Sequence, residues 1–194
     1  MTREIQMKNK YILTDESIKV GKKNLYRIKA IKDFGNVKEG EIGGFVESEK
    51  NLSQDGNAWI YDDAWVHGNA EVFGDAEVFG YAQVFGNATV FGYAQVFGNA
   101  TVSGKAWVFG DVKVFGDAKV SDNAKVYHNA QVFDYAEVFG YAQVFGNATV
   151  SGNARVFDYA LVFGNAEVSG DAQVFDATKV SGDAKVSGKA NVFE

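Results

Sequence analysis

The side chains able to do acid–base or covalent chemistry are few. His67 and His128 are the only histidines in 194 residues, and there is no cysteine. A general base needs an oriented partner and a pocket that excludes water. Neither is visible around His67 or His128, the candidate catalytic residues, and both fall next to turns where an imidazole is simply solvated. The absence of cysteine removes thiolate nucleophiles, thiolate metal sites and disulfides together. Asp75, Asp111 and Asp117 recur at regular intervals, which suggests calcium. They lack the G-G-x-G-x-D spacing of calcium-binding solenoids, so solvated corners and no metal are expected. No glycine-rich phosphate loop stands between a strand and a helix. The remaining dense group is Trp59, Tyr61, Trp65 and His67. It reads either as a binding patch or as a surface over which the N-terminal segment folds back.

These residues are placed by a repeat. From Ala58 onward the register has a period of six with no slip. Ala recurs at 58, 64, 70 and onward to 190, replaced only by Val112 and Thr178, and two residues later comes Ile60 and then Val from 66 to 192. Alternate residues of an extended strand share a face. Ala and Val therefore point to a core, and the Glu, Gln, Lys or Thr between them points to solvent. The Gly-Asn, Gly-Asp or Gly-Tyr pair that follows is turn chemistry, because glycine takes positive φ freely and Asn and Asp tolerate it. So short a strand cannot bury its face alone. Three hexads per coil close a triangular prism, and residues 56–194 read as an all-β, single-stranded parallel β-helix (β-solenoid) roughly 37 Å long at about 4.8 Å per coil. Residues 1–55 do not repeat. They read as a small β cap covering the open edge of the first coil.

The position after each core Val is usually aromatic, and residues 18 apart stack. One column reads Tyr61, Phe79, Phe97, Phe115, Phe133; a second Phe73, Phe91, Phe109, Tyr127, Phe145, Phe163; a third begins His67, Phe85 and resumes at Phe139 after Ser103 and Ser121. Such ladders shield corners by ring stacking. Long apolar stripes also exceed what a soluble monomer exposes and mark an interface, so a homo-oligomer, dimer or trimer, is expected, with a protein partner or a row of sugar rings as other occupants.

Net charge is −6. Residues 57–194 carry 8 basic and 16 acidic side chains, which opposes nucleic-acid binding, since phosphate contacts need a basic surface. No apolar stretch approaches membrane-spanning length and no signal-peptide h-region follows the first basic residues, so the expectation is no membrane and a cytoplasmic location.

The repeat, as in Val90-Phe91-Gly92-Tyr93-Ala94-Gln95, resembles the hexapeptide motif of the left-handed β-helix superfamily at its aliphatic and small positions, with Phe where the motif has a small or acidic residue. The segments Asp33 to Lys38, Gly43 to Val46, and Trp59 to Asp62 also resemble the start of bacterial and prophage-borne acyltransferase-like hexapeptide-repeat proteins. The resemblance implies a left-handed solenoid, with a right-handed bactofilin-like one as the lesser alternative. The superfamily holds acyltransferases, γ-type carbonic anhydrases and catalytically silent members. Its acyltransferases use a His base at a subunit interface, usually beside an extruded loop, and no such loop interrupts this register. A γ-type zinc site needs three His. The expectation is a non-enzymatic structural or interaction module with no cofactor that self-associates through its aromatic edges. The alternatives are an acyl-CoA-dependent enzyme using His67 or His128 at a trimer interface, and a sugar-binding fibre module.

Overall fold

The computed structural model describes residues 9–194, and within them the chain is a β-solenoid. Three longer strands come first: β1 (Tyr11–Val20), β2 (Lys23–Ala30) and β3 (Ile42–Val46). A single 3-10 turn, Glu49–Asn51, follows. The rest is a succession of short strands, most of two residues, from Trp59–Ile60 to Asn191–Val192. Each but the last three pairs in parallel with the strand 18 residues on, as Val96 does with Val114 and Val108 with Val126. Three faces result. The first has eleven strands and runs from β1 through Trp65–Val66 to Asn191–Val192; the second has seven, Glu71–Val72 to Lys179–Val180; the third has eight, Trp59–Ile60 to Lys185–Val186.

The Ala and Val positions build the core as the period predicts. From Ala58 to Val174 every one of them is buried, with Val112 filling an Ala slot. Each hexad donates three backbone N–H groups to the next coil; Glu71, Phe73 and Asp75 bond the carbonyls of Ala88, Val90 and Gly92 at 2.9–3.1 Å. The ladder leaves few buried backbone groups unpaired, which lets so narrow a core stand.

Corners need positive φ. Gly104 has φ +67, and a Cβ there would lie 2.6 Å from the Asp122 nitrogen. Yet Asp62, Asp122, Asp134, Asp158 and Asp176 occupy equivalent slots at φ 54–59. Three of them recover a bond: the N–H groups of Gly80, Gly140 and Gly152 donate to the carboxylates of Asp62, Asp122 and Asp134 at 3.0–3.2 Å. Gly104→Ala is therefore expected to lower stability by about 1–3 kcal/mol through left-handed strain and the close backbone. Gly104→Asn should cost less, because asparagine tolerates the left-handed region and places no second carboxylate over Asp122. Thermal melting of the two variants checks the order.

The N-terminal segment contributes coil as well as cover. Phe45 and Val46 pair in parallel with Trp65 and Val66, and Leu52 bridges Val72. Val46, Leu52 and Ile60 thus form a coil ahead of the uninterrupted repeat. Its last step takes eight residues instead of six, which hides it from a search for a fixed period. β1 and β2 then extend the first face by antiparallel pairing.

Three polar side chains fasten this end. Asn51, fully buried, donates through Nδ2 to the carbonyls of Gly68 and Ala70 at 3.1 and 2.9 Å. The Tyr11 hydroxyl donates to the Leu52 carbonyl at 2.7 Å. Lys10, only 1% exposed, donates through Nζ to the carbonyls of Ala58 and Gly56 at 2.8 and 3.1 Å, over the ring of Phe34. Burial lowers its pKa to about 8, against the opposing pull of Asp55 and Asp75. The neutral amine keeps two hydrogens for two carbonyls.

The pH dependence follows. Below about 8 the amine is charged in both folded and unfolded chains. Between there and its ordinary 10.5 the unfolded chain holds the proton that the folded one has released, so stability from this group rises with pH. Burial raises the pKa of the Tyr11 hydroxyl, which works the other way above about pH 10. Melting of the N-terminal end should shift upward from pH 8 to 10, and Lys10→Met should remove that slope.

Candidate functional site

The aromatic columns are real ladders. From Phe73 through Phe91, Phe109, Tyr127 and Phe145 to Phe163, five successive pairs have ring centroids 4.8–5.1 Å apart and planes within 9° of parallel. Phe79, Phe97, Phe115 and Phe133 stack likewise at 4.7–4.9 Å. The third column resumes from Phe139 through Phe157 and Phe175 to Phe193 at 5.0–5.2 Å. The rings are half-buried, apart from the exposed Phe193. Each covers a corner on one side and presents an edge to solvent on the other. Stacking contributes about 0.5–1.5 kcal/mol per pair, and the exposed edges form a continuous apolar stripe.

Trp59, Tyr61, Trp65 and His67 do not form one patch. Trp59 lies on the third face, wholly buried, with Phe34 and Tyr11 edge-on at 5.3 and 6.0 Å; the chain's own N-terminal segment covers it. Tyr61 is half-buried beside Glu77, and burial pushes its hydroxyl up to about 12. Trp65 and His67 lie on the first face and its corner. The imidazole stacks against both Trp65 at 5.1 Å and Phe85 at 5.3 Å, two rings that also stack on each other at 6.0 Å. Its Nδ1 is buried and has no hydrogen-bond partner among the described residues. Burial and the Lys23 ammonium lower its pKa, and Glu47 opposes them. Glu47 itself is taken by Lys23 Nζ and the Gly68 N–H, both at 2.7 Å. His128 stands on a different corner, exposed, in a glycine slot at φ 63, its ring edge-on to Tyr127 at 4.9 Å. The structure does not bring the two imidazoles together.

Two features were missed in the sequence. Asparagines after the corner glycines form side-chain ladders of their own: Asn129 donates to Asn147, Asn147 to Asn165, and Asn165 to Asp183, at 3.2, 3.0 and 2.9 Å. Tyrosines in the same position are instead the most exposed large hydrophobic side chains of the repeat; Tyr81, Tyr93 and Tyr135 are 64–65% exposed. The signal was present as Gly-Tyr and Asp-Tyr pairs where most hexads have Gly-Asn or Gly-Asp. One groove of about 530 Å³ runs along the first face beside Tyr135. Among the described residues no helix is long and apolar enough to cross a membrane, and no three His, Asp or Glu gather as a metal site would require.

Residues 82–96, 94–110 and 142–158 match the family model described as the YdcK β-solenoid repeat. With the fold, this fits a hexapeptide-repeat β-solenoid protein of the acyltransferase-like kind. One relative is a protein of Escherichia coli (strain K12) named Uncharacterized acetyltransferase YdcK. It is 51% identical over 43 residues, 21% of this chain and 13% of the relative. The match thus spans a small part of that protein's length.

Proposed function

We propose that this chain is a non-enzymatic β-solenoid interaction module that self-associates through its aromatic edges, chiefly the corner carrying Phe73 to Phe163. The observation that supports this most is the ladder itself: six half-buried rings in line, an apolar stripe of roughly 24 Å at about 4.8 Å per coil. Two such stripes related by a two-fold axis bury each other's edges. The cysteine-free background allows a clean test. A single Phe109→Cys substitution is expected to give a disulfide-linked dimer under mild oxidation, and Gln83→Cys, on the first face, is not. Equal cross-linking at both positions, or none at Phe109→Cys, refutes the ladder as the interface.

An acyl-CoA-dependent reaction is the second reading, favoured by the name of the partial relative. It requires a second copy to complete a site around His67 or His128. Calorimetry with acetyl-CoA separates the readings. Binding that His67→Ala or His128→Ala abolishes supports the enzyme, and no heat of binding supports the interaction module.

A further inference from the structure

The groove on the first face combines features that the ladders lack. It crosses four successive coils, on the order of 14 Å at about 4.8 Å per coil. Its floor is set by Thr101, Lys119, Glu137 and Arg155, the outward residues of consecutive strands, and Tyr135 rises beside them. The charges are matched and pinned. Glu137 accepts a hydrogen bond from Lys119 Nζ at 3.2 Å through one carboxylate oxygen and forms an ion pair with Arg155 Nε, 3.3 Å from the other. The Arg155 guanidinium also lies over the rings of Phe139 and Phe157, at 5.0 and 5.4 Å. Asn99 is held on Asp117 at 3.0 Å and Asn153 on Asp171 at 2.9 Å, each through Nδ2, which leaves both amide oxygens available. Tyr135 is 64% exposed and, unlike Tyr141 and Tyr159, stacks on no other ring among the described residues.

We propose that this groove binds a neutral oligosaccharide. Pyranose rings lay their C–H face on an exposed aromatic ring and hydrogen-bond their hydroxyls to planar amides, carboxylates and guanidinium groups. Here those groups are already fixed by their neighbours, so little side-chain entropy is lost on binding. The matched charges, Asp117 and Glu137 against Lys119 and Arg155, give no preference for a charged sugar. The groove lies on the face opposite the Phe73–Phe163 corner, since the second and third faces flank that corner. A dimer formed there leaves both grooves open.

A glycan array of neutral oligosaccharides probed with the whole chain, followed by saturation-transfer NMR with the bound glycan, tests this. The expected result is binding that falls at least about tenfold (~1.4 kcal/mol) in Tyr135→Asn and in Arg155→Gln. Asparagine already occupies the Tyr135 column at Asn99 and Asn153, so the first variant keeps the fold, which circular dichroism confirms. No neutral glycan bound, anionic glycans alone bound, or binding unchanged in both variants overturns the proposal. A chain with ladder rings changed to serine should still bind the glycan, so failure of the self-association reading is separable from failure of this one.

Discussion

Trp59→Ala is expected to lower stability by about 3–5 kcal/mol, the range for deleting a fully buried indole. Trp59 is wholly buried and is the packing surface for Phe34 and Tyr11. Tyr11 in turn bonds the Leu52 carbonyl, and Leu52 is part of the irregular first coil. The loss should therefore be local at first: β1 and β2 detach while the later coils keep their hydrogen bonds. Hydrogen exchange should show protection lost over residues 10–60 and retained around Val108 and Val126. Uniform loss along the chain would contradict this nearest-neighbour picture.

Val126→Asp has a larger expected effect. Val126 is fully buried in a middle coil, paired with Val108 before it and Val144 after it. A carboxylate there has only aliphatic neighbours, so it must either stay uncharged at a cost or open the coil. About 4–5 kcal/mol is expected, and because each coil touches only its neighbours the array should part at that point. Limited proteolysis is predicted to cut near residue 126 and spare an N-terminal fragment. The matching change Val192→Asp, at a half-exposed position of the last coil, should cost little. Similar losses in the two variants would mean that the coils unfold as one unit.

Much of this was legible because the physics is periodic. Ala and Val alternate with polar residues, so the buried face follows from strand geometry alone. Gly followed by Asn or Asp marks each corner, and residues 18 apart had to stack. What escaped notice breaks the period. The coil through Val46, Leu52 and Ile60 takes one eight-residue step, and no fixed-period search finds it. Tyr135 and Asn147 occupy the same position of the hexad, on different corners, and read alike as turn residues. Whether such a residue stands free, as Tyr135 does, or pairs along a ladder, as Asn147 does with Asn165, depends on the residue 18 away. The reading of Trp59 turned on long-range contact with Phe34 and Tyr11, which spacing does not encode. His67 sits at the head of a ladder its spacing foretold; the burial of its Nδ1 came only with the structure.

Self-association through the ladders is the central claim, and the solution mass measured by light scattering over a concentration series tests it most directly. The chain of 21.1 kDa should give a dimer or trimer that persists on dilution into the micromolar range. The variant Phe91→Ser, Phe109→Ser and Phe145→Ser, which places at those positions the residue already found at Ser103, Ser121 and Ser151 in equivalent ones, should be a folded monomer. A wild-type chain that is monomeric throughout the series, or a variant that stays associated, would contradict the account.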